Sequence, residues 1–261
     1  MSHERFDVTV QGTRLRVATR GEGTPILLIN GVGANLSIWG PLARQMPGRR
    51  VISFDAPGIG GSAAPRRPMR LPALADLTRD LIAELGYDQI DVVGHSMGGM
   101  IALELAHRSP ERVRRLVLCN TAPGLPYLLS PNPLAYAAVF TPLRSRLLVS
   151  AAAGGRTARD PALTEKMAAN RTDRPSWTGL WRQLYAAPGW SSWPWLHRIQ
   201  HPTLVVVGSD DPLIPPVNSR LLAWRMPNAT LRIVPGGGHL LSLDQPEAFA
   251  ELIDEFAPAE D

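Results

Sequence analysis

Gly94-His95-Ser96-Met97-Gly98 sets a serine between glycines at both two-residue offsets, after the apolar run Ile90 to Val93 and before a helical pattern that starts at Met97. A serine thrust out of a strand-to-helix turn sits on strained backbone, so its neighbours two positions away must be small. The spacing alone arises by chance in a glycine-rich chain; the strand before it and the helix after it make it a nucleophile elbow. A serine hydroxyl attacks only when a base takes its proton and a third group holds that base. Acid and histidine follow such an elbow in that order, and Asp211 and His239 fill the two places. Asp211 lies in Gly208-Ser209-Asp210-Asp211-Pro212-Leu213-Ile214-Pro215, just past the run Leu204 to Val207, at the carboxyl end where parallel sheets collect their sites. His239 closes Gly236-Gly237-Gly238-His239 after the run ending at Val234, on a glycine loop able to swing an imidazole toward the elbow. A tetrahedral intermediate also needs two backbone N–H donors. Met97, next to the serine, supplies one, and Val32, in Asn30-Gly31-Val32-Gly33-Ala34-Asn35 after the run Ile26 to Ile29, is expected to supply the other.

The remaining histidines lack such a context. His3 is terminal, His107 ends a helical pattern where it meets the helix dipole, His197 and His201 precede a strand, and His95 fills a non-glycine position of the box. No Cys/His spacing resembles a zinc site and no glycine loop matches a phosphate cradle, so neither metal nor cofactor is expected.

Parallel strands and their helices must hold these residues. Pro25 to Asn30, Val51 to Asp55, Ile90 to Gly94, Val113 to Cys119 and Thr203 to Gly208 are short, nearly continuous apolar runs, as expected of strands covered on both faces. Helical patterns alternate with them at Ile38 to Met46, Leu71 to Leu85, Met97 to His107, Asn218 to Met226 and Glu247 to Phe256. Leu231 to Val234 forms the last strand, while Phe6-Val8-Val10 and Leu15-Val17 alternate with polar residues like a half-exposed edge hairpin. This order predicts an α/β fold with a parallel sheet between two helical layers. It breaks once, between about Thr121 and Gln200, where no convincing strand occurs and five of the seven tryptophans gather: Trp177, Trp181, Trp190, Trp193 and Trp195. They are expected to pack the core of an insertion, or else to offer apolar surface to a substrate.

Composition narrows the field. With 261 residues, 44% hydrophobic and 19% charged, the chain is a globular protein of one domain plus an insertion, and disorder is excluded. The 27 basic residues against 23 acidic ones leave a charge of +4. Apart from Lys166 they are arginines, single or in doublets such as Arg49-Arg50, Arg66-Arg67 and Arg114-Arg115 with acids between them, so no nucleic-acid partner is expected. Cys119 alone cannot close an internal disulfide, Met1 to Arg5 lead straight into a strand, and no uncharged apolar run reaches membrane-spanning length. A cytoplasmic protein with no transmembrane segment is expected, its oligomeric state left open.

Elbow, downstream partners and insertion together resemble the α/β-hydrolase superfamily over essentially the whole chain. That resemblance implies a mostly parallel sheet flanked by helices, with the hydrolase core in residues 1–121 and 201–261 and a helical cap in 122–200. It makes Ser96, Asp211 and His239 nucleophile, acid and base. It favours Asp211 over Asp210, because the acid stands three residues after the strand-ending glycine, and it gives Asp55-Ala56-Pro57-Gly58-Ile59-Gly60-Gly61-Ser62 a structural part. Three stretches outside these shared motifs resemble intracellular medium-chain-length poly(3-hydroxyalkanoate) depolymerases: Asn30 to Leu36, Gly189 to Leu204, and Asp211 to Pro215 continuing through Arg220 to Ala229. The box departs from that group, which carries valine and tryptophan where this chain has His95 and Met97. The resemblance implies a serine carboxylester hydrolase acting on a storage polyester or its 3-hydroxyalkanoate oligomers through an acyl-enzyme. Asn35 and Trp181 would then touch substrate, and a polyester granule surface would be the partner. The alternatives are a capped hydrolase of soluble esters or ring-cleavage products, and a ligand receptor that keeps the fold without catalysis.

Overall fold

The structure, a computed structural model, describes residues 3–124, 146–169 and 176–259, with Asn132, Ala135 and Ala137 between them. Two antiparallel strands, β1 (His3–Val10) and β2 (Thr13–Arg20), open the chain. Gln11 and Gly12 join them with φ of 49° and 72°, the left-handed pair that a two-residue hairpin turn demands. The strands β3 (Thr24–Ile29), β4 (Arg49–Phe54), β5 (Ile90–His95), β6 (Val113–Cys119), β7 (Thr203–Gly208) and β8 (Ala229–Val234) follow. All eight form one sheet in the order β1-β2-β4-β3-β5-β6-β7-β8. Only the β1–β2 and β2–β4 pairings are antiparallel.

Helices cover both faces: α1 (Gly40–Arg44), α2 (Leu71–Glu84), α3 (Met97–Arg108), then α4 (Arg146–Ala153), α5 (Gly155–Arg159), α6 (Pro161–Ala169), α7 (Trp177–Leu184), α8 (Pro216–Arg225), α9 (Leu241–Asp244) and α10 (Pro246–Phe256). The two-residue period of a strand explains the two cores. Leu27 and Ile29 of β3 join the cluster holding α2 and α3, whereas Ile26 and Leu28 join the opposite cluster with α1 and Phe249 and Ile253 of α10. Every residue of β5 and β7 is buried, which is why both read as nearly continuous apolar runs, broken in β5 by Asp91, whose charge is met by Arg49 and Arg114. At the far edge β8 is half exposed and begins at Ala229, ahead of the apolar run at Leu231, because pairing with β7 rather than burial sets its length.

Between β6 and β7 the described residues hold four helices, a 3-10 turn at Leu196–Arg198, and only the isolated bridge between Gly124 and Ser191. The rest of that stretch lies outside the described residues. The tryptophans divide. Trp190 is buried in the main core and donates to the buried Glu104 of α3 at 2.7 Å, and Trp195 stacks on His107 at 4.2 Å, so both pack on the sheet's own helix rather than inside an insertion core. Trp193 stacks on Trp224 of α8. Trp177 and Trp181, one turn apart on α7, stand 52% and 55% exposed.

Candidate active site

β5 ends at the box, and Ser96 takes φ 55° and ψ −123° as the residue before α3. A non-glycine residue in this region costs roughly 1–3 kcal/mol, so its surroundings must enforce it. A Cβ on Gly94 would lie 2.5 Å from the carbonyl oxygen of Gly98, and one on Gly98 would run into the carbonyl of Ile29. Both glycines are therefore required by close approach. The Ser96 amide donates to Cys119 O at 3.0 Å, and its own carbonyl accepts from the Gly99 amide at 2.9 Å and from Thr121 Oγ1 at 2.6 Å. Met97 follows as the first residue of α3, in the turn whose amides have no partner within the helix.

Asp211 and His239 meet. His239 Nδ1 lies 2.8 Å from Asp211 Oδ2, both residues buried. A carboxylate oxygen accepts, so His239 Nδ1–H is the donor of this bond. The other Asp211 oxygen accepts from the Leu213 and Ile214 amides at 2.9 Å each, and Asn120 Nδ2 donates to Oδ2 at 2.6 Å. Asn120 also donates to Gly238 O at 2.9 Å and has φ 49°, so a strained residue just past β6 clamps acid and histidine loop together. Asp210 instead accepts from Ser209 and pairs with Arg159 at the surface.

The histidine loop is tied from outside the sheet. The His239 amide donates to Ala153 O at 2.6 Å, at the end of α4. Asp244, 1% exposed, accepts from the Gly238 amide at 2.8 Å, from the Arg156 and Thr157 amides of α5, and from Thr157 Oγ1. From the elbow side, His95 Nε2 lies 2.7 Å from His239 O, and the two rings are 4.8 Å apart. A carbonyl cannot donate, so Nε2 carries the proton and Nδ1 is left buried without a partner. Burial first, and the neighbouring His239 second, push the pKa of His95 down to about 3, and the ring stays neutral.

Val32 is partly buried in the loop after β3, which lies against the elbow: a Cβ on Gly31 would come 2.9 Å from Ser96 Cβ and 3.1 Å from His95 Nδ1. Asn35 Oδ1 accepts from the Ser37 amide and caps the 3-10 turn Leu36–Trp39. Asp55 joins the loops after β3 and β4, accepting from the Leu36 amide at 2.7 Å and the Gly61 amide at 2.8 Å; desolvation raises its pKa against the pull of these donors. The helix α7 lies over this corner. Gly179, Leu180 and Gln183 are its buried side, and Gln183 Oε1 accepts from the Gly33 amide at 2.6 Å, while Trp181 is on its exposed side. Asn120, Asp244 and Gln183 carry no motif, and only the place of Asn120 at a strand's carboxyl end could have marked it.

Among the described residues no cluster of three or more His, Cys, Asp or Glu could hold a metal, and no helix is long and apolar enough to cross a membrane. Seryl elbow, Asp–His pair and sheet order together define a class, and the sequence comparison agrees: residues 24–246 match the model of the alpha/beta hydrolase fold, and the chain belongs to that family. It is 43% identical over 246 residues to the poly(3-hydroxyalkanoate) depolymerase of Ectopseudomonas oleovorans, covering 91% of this chain and 85% of that protein. It is 32% identical over 264 residues to the 2-hydroxymuconate semialdehyde hydrolase of Pseudomonas putida, covering 96% and 92%. The enol-lactonase of Burkholderia xenovorans LB400 superposes with a TM-score of 0.83 at 27% identity, covering 96% of this chain and 99% of that one.

Proposed function

We propose that the protein is a serine carboxylester hydrolase that cleaves poly(3-hydroxyalkanoate) or its oligomers. One observation carries this reading: a chain 43% identical to a depolymerase of that polymer keeps a buried Asp211–His239 hydrogen bond beside a seryl elbow. Ser96 Oγ attacks the ester carbonyl while His239 Nε2 takes its proton. Asp211 holds Nδ1–H and stabilises the imidazolium. The amides of Met97 and Val32 receive the oxyanion, the alcohol leaves with the proton from His239, and water activated by the same nitrogen releases the acid. Residues 122–200 act as the cap, with Trp181 meeting the polymer on the exposed side of α7 and Asn35 shaping the substrate side of the oxyanion loop. The granule surface is the partner, and the enzyme works in the cytoplasm.

The test is clearing of a medium-chain polyester emulsion, beside soluble p-nitrophenyl esters from acetate to dodecanoate and a ring-fission product such as 2-hydroxymuconate semialdehyde. Clearing, and kcat/KM that rises with acyl length and flattens in Trp181→Ala, are the expected results, since each methylene removed from water contributes roughly 0.8 kcal/mol. Ser96→Ala should lose labelling by a fluorophosphonate probe and about 10⁶-fold in kcat. Turnover of the ring-fission product alone would move the protein to the carbon–carbon hydrolases. No turnover of any substrate would favour the receptor.

A further inference from the structure

One side of α7 packs on the loop of Gly33, and the other is aromatic and faces solvent. Trp177, Trp181 and Tyr185, the residue that closes the helix, recur every four positions and so fall along one side, 52%, 55% and 46% exposed. Three large rings in one exposed row are more than the scattered apolar residues of an ordinary surface. Arginines border them. Arg70, in the loop before α2, donates from Nη1 to Tyr185 O at 3.2 Å and Pro188 O at 2.8 Å, and its guanidinium lies 4.2 Å over the Tyr185 ring. Arg66 and Arg67 of the same loop are exposed, and Arg182 follows Trp181. None of these four arginines pairs with an acid among the described residues. The chain keeps acids away from both segments: residues 56–75 and 174–209 hold no aspartate or glutamate. Just outside them, Asp55 is buried and bonded, and Asp76 is taken by Arg79 and Arg108.

We propose that this row of rings and arginines docks α7 on a lipid surface that carries anionic headgroups. The two halves of the patch make different demands, and such a surface meets both. Tryptophan and tyrosine settle at headgroup level, with the ring body against the acyl boundary and the polar edge in water. Arginine is drawn by the headgroup charge, and its long stem keeps the guanidinium among the phosphates while the rings sink. A helix with aromatic residues on one side and arginines beside them lies in the plane of such an interface. A polyester carries no charge along its length, so it would engage the rings and leave the arginines idle. A nucleic-acid strand is held in a groove that tracks its backbone, whereas these rings stand on the convex side of a helix. Through Gln183 the buried side of α7 bonds Gly33, two residues after Gly31, which lies against Ser96. A surface that holds α7 therefore lies beside the elbow. The proposal concerns adsorption and does not depend on turnover of any ester.

The experiment mixes the full chain with vesicles of phosphatidylcholine, with or without phosphatidylglycerol, and reads binding by co-sedimentation and by the blue shift of tryptophan emission. Wild type should bind the anionic vesicles about tenfold more tightly or better at low salt, and the difference should shrink as salt screens it. Arg66→Gln combined with Arg67→Gln should weaken binding to anionic vesicles roughly thirtyfold, the equivalent of about 1 kcal/mol for each arginine at the surface. Trp177→Ser should weaken binding and lose part of the blue shift. Removing two exposed arginines elsewhere, Arg44→Gln on α1 with Arg232→Gln on β8, should change binding by a few-fold at most. An equal loss there would reveal attraction by net charge and overturn the proposal. So would binding that ignores phosphatidylglycerol, tighter adsorption to bare polyester particles than to anionic vesicles, or a dimer in sedimentation equilibrium that Trp177→Ser breaks. Every substituted side chain is exposed, so thermal unfolding should match wild type and show each variant to be folded. Failure of the wild type to hydrolyse any ester would remove the hydrolase reading and leave vesicle binding to be judged by itself.

Discussion

The elbow that carries Ser96 and the loop that carries His239 stand on neighbouring ground and are held in opposite ways. Ser96 is strained, yet its restraints are near at hand: the sheet bond to Cys119, the first turn of α3, Thr121, and two glycines that leave room for backbone. His239 hangs on groups from four distant segments, namely Asn120 and Asp211 beyond two strands, His95 at the elbow and Ala153 at the end of α4, and its loop is bonded besides to nearby Asp244, which itself reaches α5. Strain that a sheet enforces locally survives small changes around it. A loop fixed by donors on Asn120 and His95, by the Ala153 carbonyl and by the buried carboxylates of Asp211 and Asp244 does not, and helices between β6 and β7 therefore help decide where His239 stands.

Asp211→Asn is expected to have the largest effect here, about 10⁴-fold in kcat, through lost imidazole orientation and imidazolium stabilisation. Asp210→Asn, which disturbs a surface pair with Arg159 and the bond from Ser209, should stay within a few-fold. Kinetics in which Asp210→Asn is the more damaged enzyme would reverse the assignment.

Asp244→Asn tests the tie between the histidine loop and α5. An amide nitrogen placed among four donors loses acceptors that a carboxylate supplied, so urea unfolding should show a loss of about 1–3 kcal/mol. A displaced His239 should lower kcat by roughly ten- to a hundredfold. Thr121→Val removes one bond to the Ser96 carbonyl and should cost about 1 kcal/mol with kcat within a few-fold. Equal kinetic damage in the two variants would erase the difference between elbow and loop.

A further effect, on stability rather than turnover, concerns acid. His95 is neutral in the folded protein down to about pH 3, against an ordinary value of 6.5. Between those values the unfolded chain binds the extra proton, so this group's share of stability is complete above about pH 6.5 and is lost as pH falls toward 3. His95→Gln keeps a donor for His239 O and has nothing to titrate. Its unfolding free energy should fall by ~2–4 kcal/mol less than that of wild type over this window. Parallel pH profiles would show that the buried imidazole does not set the slope.

Much of this was legible in the chain. Strands buried on both faces wrote themselves as nearly continuous apolar runs, and the elbow declared itself because a strained serine admits only small residues around it, a demand met by neighbours in sequence. The order of acid and histidine after their strands placed Asp211 and His239, and the structure joins them. Asn120, Asp244 and Gln183 were silent, since a buried polar residue is defined by partners that the chain brings from far away: Gln183 meets Gly33 across 150 residues and Asp244 meets Thr157 across 87. The tryptophans show the same limit. Five clustered in sequence, but hydrophobicity does not say which surface will cover a ring, and packing sent Trp190 to Glu104, Trp195 to His107 and Trp181 to the surface. Local sterics and period were fixed by neighbouring residues, whereas the pairing of buried polar groups was decided only when the sheet and the inserted helices came together.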